Sequence, residues 1–169
     1  MARVFISVGS NIDRKKHITA GIRALHELYH PIKCSSVYES ESVGFDGDNF
    51  YNLVIELDTQ SSITEVSANL ANIEDLNGRN RQGPRFSSRT LDLDLLLYGD
   101  QVLNSSTLTL PRPEIYENAF VLLPLTELAG QQKDPLSEHT YAQLWNKFDQ
   151  QKQQLWAIDF DTDFCSAHL

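Results

Sequence analysis

The chain has 169 residues, 41% of them apolar and 22% charged, with a formal net charge of -9. This length suits one core, so a single domain over residues 1–169 is expected, and the composition excludes a disordered or fibrous chain. The acidic balance argues against a nucleic-acid binder, and no apolar run approaches the roughly 18 residues of a membrane helix, so neither partner is expected. The start, MARVFISVGSN, has no leader-like apolar region, and a cytoplasmic protein is expected. Two cysteines, Cys34 and Cys165, stand far apart without metal-ligand spacing, and both are expected as thiols.

Residues 3–8 alternate as a strand, with Val4, Ile6 and Val8 on one side, and end at Gly9-Ser10-Asn11. From about Asp13 to Tyr29, Ile18, Ile22, Leu25 and Leu28 recur at helical spacing before Pro31. Residues 33–39 and 50–58 read as strands around a polar loop, 40–49, that offers a substrate more than it offers the core. Ser62 and Glu65 form a capping-box pattern, which opens a helix with Ile63, Val66, Leu70, Ile73 and Leu76 inward and Gly78 at its end. A second polar loop, 79–88, leads to the strand 91–98, and Gly99-Asp100 begins a hairpin. The order βαββαβ predicts an α+β fold with a ferredoxin-like core, an antiparallel sheet with helices packed on its faces. Residues 118–128 and 141–148 suggest added helices, and the tail from about 150 reads as polar, with no motif that assigns it a function.

The chemistry concentrates in GRNRQGPRFSSRTLDLDLLLYG, residues 78–99. Strand alternation puts Asp92 and Asp94 on one face and Leu91, Leu93 and Leu95 on the other, with the carboxylates roughly 6–7 Å apart along the strand. Such a pair suits magnesium, which takes hard oxygen ligands and completes its shell with substrate phosphates. A lone D-x-D is more often a solvated sheet face. Here Arg79, Arg81, Arg85 and Arg89 stand within eleven positions of an otherwise acidic chain, and guanidinium forks hold phosphate oxygens in bidentate fashion. A solvated basic loop, or an RNA-binding surface that uses Phe86, is the alternative reading of the same arginines.

These residues closely resemble the signature of the 6-hydroxymethyl-7,8-dihydropterin pyrophosphokinase family, in which an arginine-rich loop leads into R-T-L-D-L-D. Arg89 to Asp94 reproduce that hexapeptide, and the resemblance runs from G-S-N at Gly9–Asn11 through F-Y-N at Phe50–Asn52 to A-F-V-L-L-P-L at Ala119–Leu125. It implies transfer of the β,γ-pyrophosphoryl group of ATP, the co-substrate, to the pterin hydroxymethyl oxygen, by a monomer that needs two magnesium ions. It implies Asp92 and Asp94 as magnesium ligands and Arg79, Arg81, Arg85 and Arg89 as catalytic arginines. For the pterin it implies Phe50 and Phe120 as stacking rings, Asn52 as the reader of the ring edge, and Ser40 and Val43 as lining. For ATP it implies Glu74, Arg81, Arg89, Arg112 and Asn118.

The departures from the family pattern fall mainly on the nucleotide side. Arg112 stands for a usual histidine, Asn118 for a usual arginine and Gln82 for a common basic residue, while Glu41 and Ser42 replace a proline-containing stretch of a shortened pterin loop. A weakly active or non-catalytic paralogue is therefore the second reading.

Overall fold

The computed structural model describes residues 1–42, 47–78 and 89–162. The elements run β1 (Ala2–Ser10), α1 (Arg14–Tyr29), β2 (Ile32–Cys34), β3 (Val37–Ser40), β4 (Phe50–Thr59), α2 (Ile63–Leu76) and β5 (Asp92–Tyr98). There follow β6 (Leu103–Asn104), β7 (Thr109–Leu110), α3 (Glu114–Glu117), α4 (Ala119–Ala129), α5 (Tyr141–Lys147) and β8 (Leu155–Ile158).

The main sheet has the order β5-β1-β4-β3-β8, with β2 also on β4, and its pairs are antiparallel. Because side chains alternate along a strand, the long β1 and β4 feed two separate cores. On one face Val4, Ile6, Val8, Leu53, Ile55 and Leu57 pack with Ile18, Ile22 and Leu25 of α1 and Val66, Leu70 and Ile73 of α2. On the other, Phe5, Val54, Leu96 and Leu97 pack with Val121, Leu122 and Leu125 of α4 and Tyr141 of α5. Helix α2 opens with the expected capping box, in which the Ser62 hydroxyl accepts the Glu65 N–H and the Glu65 carboxylate accepts the Ser62 N–H.

Four sequence expectations change. Leu76, expected inward on α2, is exposed at the last residue of that helix. The strand expected over 33–39 is two short strands, because Ser35 leaves the regular ladder. Its hydroxyl takes the Val54 N–H at 2.9 Å, and its own N–H donates to the Val54 carbonyl, so a side chain competes for a ladder bond. The polar tail contributes a strand, β8, whose signal is weak because partly buried Leu155 and Ile158 flank exposed Trp156 and Ala157, a pattern without strand alternation. Cys34 is disulfide-bonded, not a thiol. Strand β8 lies on β3, and Phe160 packs edge-on to Tyr51, so the chain end returns to strands near Cys34, which sequence spacing does not reveal. Cys165 lies outside the described residues.

Strand β5 carries a bulge. Phe5 of β1 pairs with Leu97 while Ile6 pairs with Leu95, leaving Leu96 as the extra residue. Bulges commonly bend an edge strand and redirect its neighbours. Leu93 and Leu95 face the first core, and Leu96 and Leu97 both enter the second.

Candidate active site

The sheet register builds the site in rows. Tyr38 pairs with Asn52, Asn52 with Gly9 and Gly9 with Asp92; in the next row on that face, Val54 pairs with Ser7 and Ser7 with Asp94. Asn52 and Asp92 therefore lie on one face with a glycine between them, about 10 Å apart at two strand spacings of roughly 4.8 Å each. Gly9 leaves the space beside Asn52 open. A Cβ there would stand 3.1 Å from the Asn52 amide oxygen and 3.9 Å from the Phe50 ring. The Asn52 side chain, 7% exposed, is held by donating to the Ser40 hydroxyl at 2.8 Å. Phe50 opens β4 half-buried, and Phe120, in the first turn of α4, is half-buried against the second core.

Asp92 and Asp94 are both partly exposed, while Leu91, Leu93 and Leu95 are buried on the opposite face, as alternation requires. Burial first, and then the neighbouring Asp92 carboxylate, push the Asp94 carboxyl well above the usual carboxylate range, and Arg112 opposes them. The Arg112 guanidinium lies 3.3 Å from Asp94 Oδ1 and also pairs with Glu114. Its placement follows from the bulge, since the Arg112 N–H donates to the Leu96 carbonyl at 3.0 Å. Beside it, Ser105–Thr109 and Arg112–Glu114 line an open polar depression of about 220 Å³.

Glu74 is buried, and its carboxylate accepts the N–H of Leu93, the residue between the two aspartates, at 2.8 Å. That contact supplies a partner for a backbone donor of the edge strand β5. Asn118 precedes α4, and its amide oxygen accepts from Gln153 at 2.9 Å. The Gln153 oxygen in turn accepts the Ala119 N–H at 2.6 Å, so the start of this helix is capped from the chain's tail. Arg89 reaches the site through its backbone, which exchanges bonds with Asn11. Val43, Arg79, Arg81, Arg85, Gln82 and Phe86 lie outside the described residues.

The structure thus brings together Asp92, Asp94 and Arg112, and separately Ser40, Asn52 and Phe50 around Gly9. Sequence reasoning missed Gly9 as a floor, Asn11 as a link and Gln153 as a cap. G-S-N was visible as a motif, but an uncharged amide in a polar tail carries no signal of its own.

As a class, the fold is a mixed α/β one whose antiparallel sheet presents paired carboxylates beside an arginine. It is similar to the HPPK-DHPS of Plasmodium falciparum with SDX-DHP, at a TM-score of 0.66 and 15% identity over 87% of this chain. The same protein with pteroate gives a TM-score of 0.69 and 12% identity over 86% of this chain. The chain spans under half of those solved chains, 43% and 44%.

Residues 5–130 match the family of 7,8-dihydro-6-hydroxymethylpterin-pyrophosphokinase (HPPK). The 2-amino-4-hydroxy-6-hydroxymethyldihydropteridine pyrophosphokinase of Bacillus subtilis is 34% identical over 157 residues, which cover 90% of this chain and 89% of that protein. The protein of the same description from Haemophilus influenzae is 34% identical over 134 residues, or 77% of this chain and 83% of its own. The chain belongs to the HPPK family.

Proposed function

We propose that this chain transfers the β,γ-pyrophosphoryl group of ATP to the hydroxymethyl oxygen of 6-hydroxymethyl-7,8-dihydropterin, a step of folate biosynthesis. The pterin oxygen forms a bond to the β-phosphorus and loses its proton to water. The bond between that phosphorus and the α–β bridging oxygen breaks, and AMP leaves with the oxygen. Family membership supports the reaction, and the observation that carries it in this molecule is the row Asn52–Gly9–Asp92. A flat ring lying on the glycine, with its amide edge at Asn52, would direct its substituent toward the two carboxylates.

The donor set suits magnesium. Two carboxylates on one strand face, one of them resisting ionisation beside the other, are relieved by a hard cation. Among the described residues no group of three or more His, Cys, Asp or Glu could hold a metal, so phosphate oxygens and water would complete the shell, as magnesium prefers. When bound, two such ions would neutralise charge that develops on the transferred group.

The chain's own residues orient the partners. Phe50 and Phe120 stack on the pterin, Asn52 reads its edge, and Ser40 fixes the Asn52 amide with Val43 nearby in the chain. Arg79, Arg81, Arg85 and Arg89 hold the phosphates, with Arg112 between the carboxylates and the depression lined by Ser105–Thr109, where the nucleoside end of ATP would lie. Glu74 acts through the Leu93 amide, and Asn118 stands at the start of α4. The sheet order β5-β1-β4-β3, with β2 and β3 taken as one broken strand, supports a ferredoxin-like core with an added hairpin, β6–β7. With this reading go one domain over residues 1–169, a monomer and a cytoplasmic place; light scattering after size-exclusion chromatography tests the monomer.

Incubation with ATP, magnesium and the dihydropterin, followed by chromatography for AMP and the pterin pyrophosphate, tests the function. Both products are expected. The second reading, a weakly active or non-catalytic pterin- and nucleotide-binding paralogue, is favoured by an uncharged Asn118 amide held by Gln153 at the start of α4. Binding of both substrates without AMP release would select it.

A further inference from the structure

Asn11 is 2% exposed at the end of β1, and its one amide group serves two separate stretches of backbone. Its side-chain oxygen accepts the Arg89 N–H at 2.7 Å, and its backbone N–H donates to the Arg89 carbonyl at 3.0 Å. Its side-chain nitrogen donates to the Asp48 carbonyl at 3.1 Å. Arg89 lies three residues before Asp92, and Asp48 lies two before Phe50. The neighbourhood of Asp48 is fixed independently. The Ser42 hydroxyl donates to the Asp48 carbonyl at 2.6 Å, and the Arg14 guanidinium donates to the Asn49 carbonyl at 3.1 Å while pairing with Glu39.

A primary amide is the smallest side chain that offers a donor and an acceptor from one rigid plane. Aspartate keeps only the acceptor, and alanine keeps neither. The chemistry of this position is therefore matched to joining an N–H on one side to a carbonyl on the other.

We infer that Asn11 is a positioning residue that ties the stretch entering Phe50 on the pterin side, at Asp48, to Arg89 on the phosphate side, just beyond the strand register that spaces Asn52 from Asp92. It touches neither substrate and acts through the Asp48 and Arg89 backbones. This inference rests on the pyrophosphokinase reading for its kinetic consequences and on the hydrogen bonds alone for its structural ones.

The test compares the full chain with Asn11→Asp and Asn11→Ala, by initial rates of AMP release against each substrate, thermal melting, and hydrogen exchange of the Arg89 amide by NMR. Asn11→Asp still accepts from Arg89 but has no donor for Asp48. Its KM for the dihydropterin is expected to rise about 5- to 20-fold, the scale of one lost hydrogen bond, with KM for ATP within about twofold. Asn11→Ala is expected to raise both KM values, to lower kcat and to speed Arg89 exchange, which Asn11→Asp leaves slow. Equal shifts in both KM values for Asn11→Asp, or none in either, overturn the assignment. So does an Asn11→Ala chain that melts lower yet keeps both KM values. Should Asn11→Ala fail to fold, Asn11→Asp decides alone. A wild-type chain that releases no AMP refutes the proposed function instead. The positioning role is then decided by Arg89 exchange in Asn11→Ala, where an unchanged rate overturns it.

Discussion

The Arg112 N–H donates to the carbonyl of Leu96, the bulged residue of β5, and this bond carries the Arg112 guanidinium to within 3.3 Å of Asp94 two positions earlier on the same strand. One inserted residue in an edge strand thus supplies positive charge next to a pair of carboxylates. The arrangement offsets part of the repulsion between Asp92 and Asp94, and it orders the consequences of mutation at the site.

Asp92→Asn and Asp94→Asn should each lower the rate of AMP release by about 10²–10³, the usual cost of removing a preorganised charge partner from a reacting site. Stability should respond differently. Neutralising Asp94 removes a partly buried charge that is repelled by Asp92, and this offsets the lost pair to Arg112. Melting temperatures within about 4 °C of wild type, roughly 1–2 kcal/mol or less for a domain of this size, are expected alongside the loss of activity. An Asp94→Asn chain with wild-type turnover at saturating magnesium would remove the carboxylate from the reaction.

Gly9→Ala places a methyl group 3.1 Å from the Asn52 amide oxygen, closer than ordinary contact, and the Asn52–Ser40 bond resists the shift that would relieve it. The dihydropterin should bind more weakly by about tenfold, near 1.4 kcal/mol, with ATP affinity little changed. Calorimetric titration of each ligand separates the two. Equal losses for both would mean that Gly9 serves the strand and not the ring.

Gln153→Ala removes the caps from Asn118 and from the Ala119 N–H at the start of α4. A lost helix cap costs roughly 0.5–2 kcal/mol, measurable as a lower urea midpoint. The same change releases the Asn118 amide. In that background Asn118→Arg should raise kcat/KM for ATP more than it does in the wild-type chain, because the new charge competes with no existing contact. Identical gains in both backgrounds would show that the Gln153 contact does not restrain position 118.

Asp134 is fully buried and accepts from the Tyr116 hydroxyl at 2.6 Å, the Tyr141 hydroxyl at 3.2 Å, and the Ser137 N–H and hydroxyl. Asp134→Ala leaves these donors without their acceptor and should cost roughly 3–5 kcal/mol, the range for breaking a buried charged network. Burial, helped by Asp134, also pushes the Tyr116 and Tyr141 hydroxyls upward. A raised folded-state pKa stabilises the protein fully below the unfolded value, near 10 for tyrosine, and that stability drains away as pH rises past it. Urea midpoints should therefore be flat from pH 8 to about 9.5 and fall above about 10. A flat midpoint through pH 11 would contradict the buried pair.

Much of this molecule follows from its sequence alone. The alternation that separates Asp92 and Asp94 from Leu91, Leu93 and Leu95 is a property of the extended backbone, and the Ser62–Glu65 box fixes where α2 begins by local hydrogen bonds. The family signature likewise sits in one continuous stretch. What sequence order could not supply is which residues meet across strands. That Asn52 and Asp92 flank Gly9, that Asn11 bridges Asp48 and Arg89, and that Gln153 reaches Asn118 are decided by the sheet register and by the tail's return along β3. The bulge at Leu96 is of the same kind, since its extra residue exists only relative to the pairing of Phe5 and Ile6. Local periodicity specifies which way a side chain points, whereas its partners belong to distant segments, and only the packed tertiary structure brings those into contact.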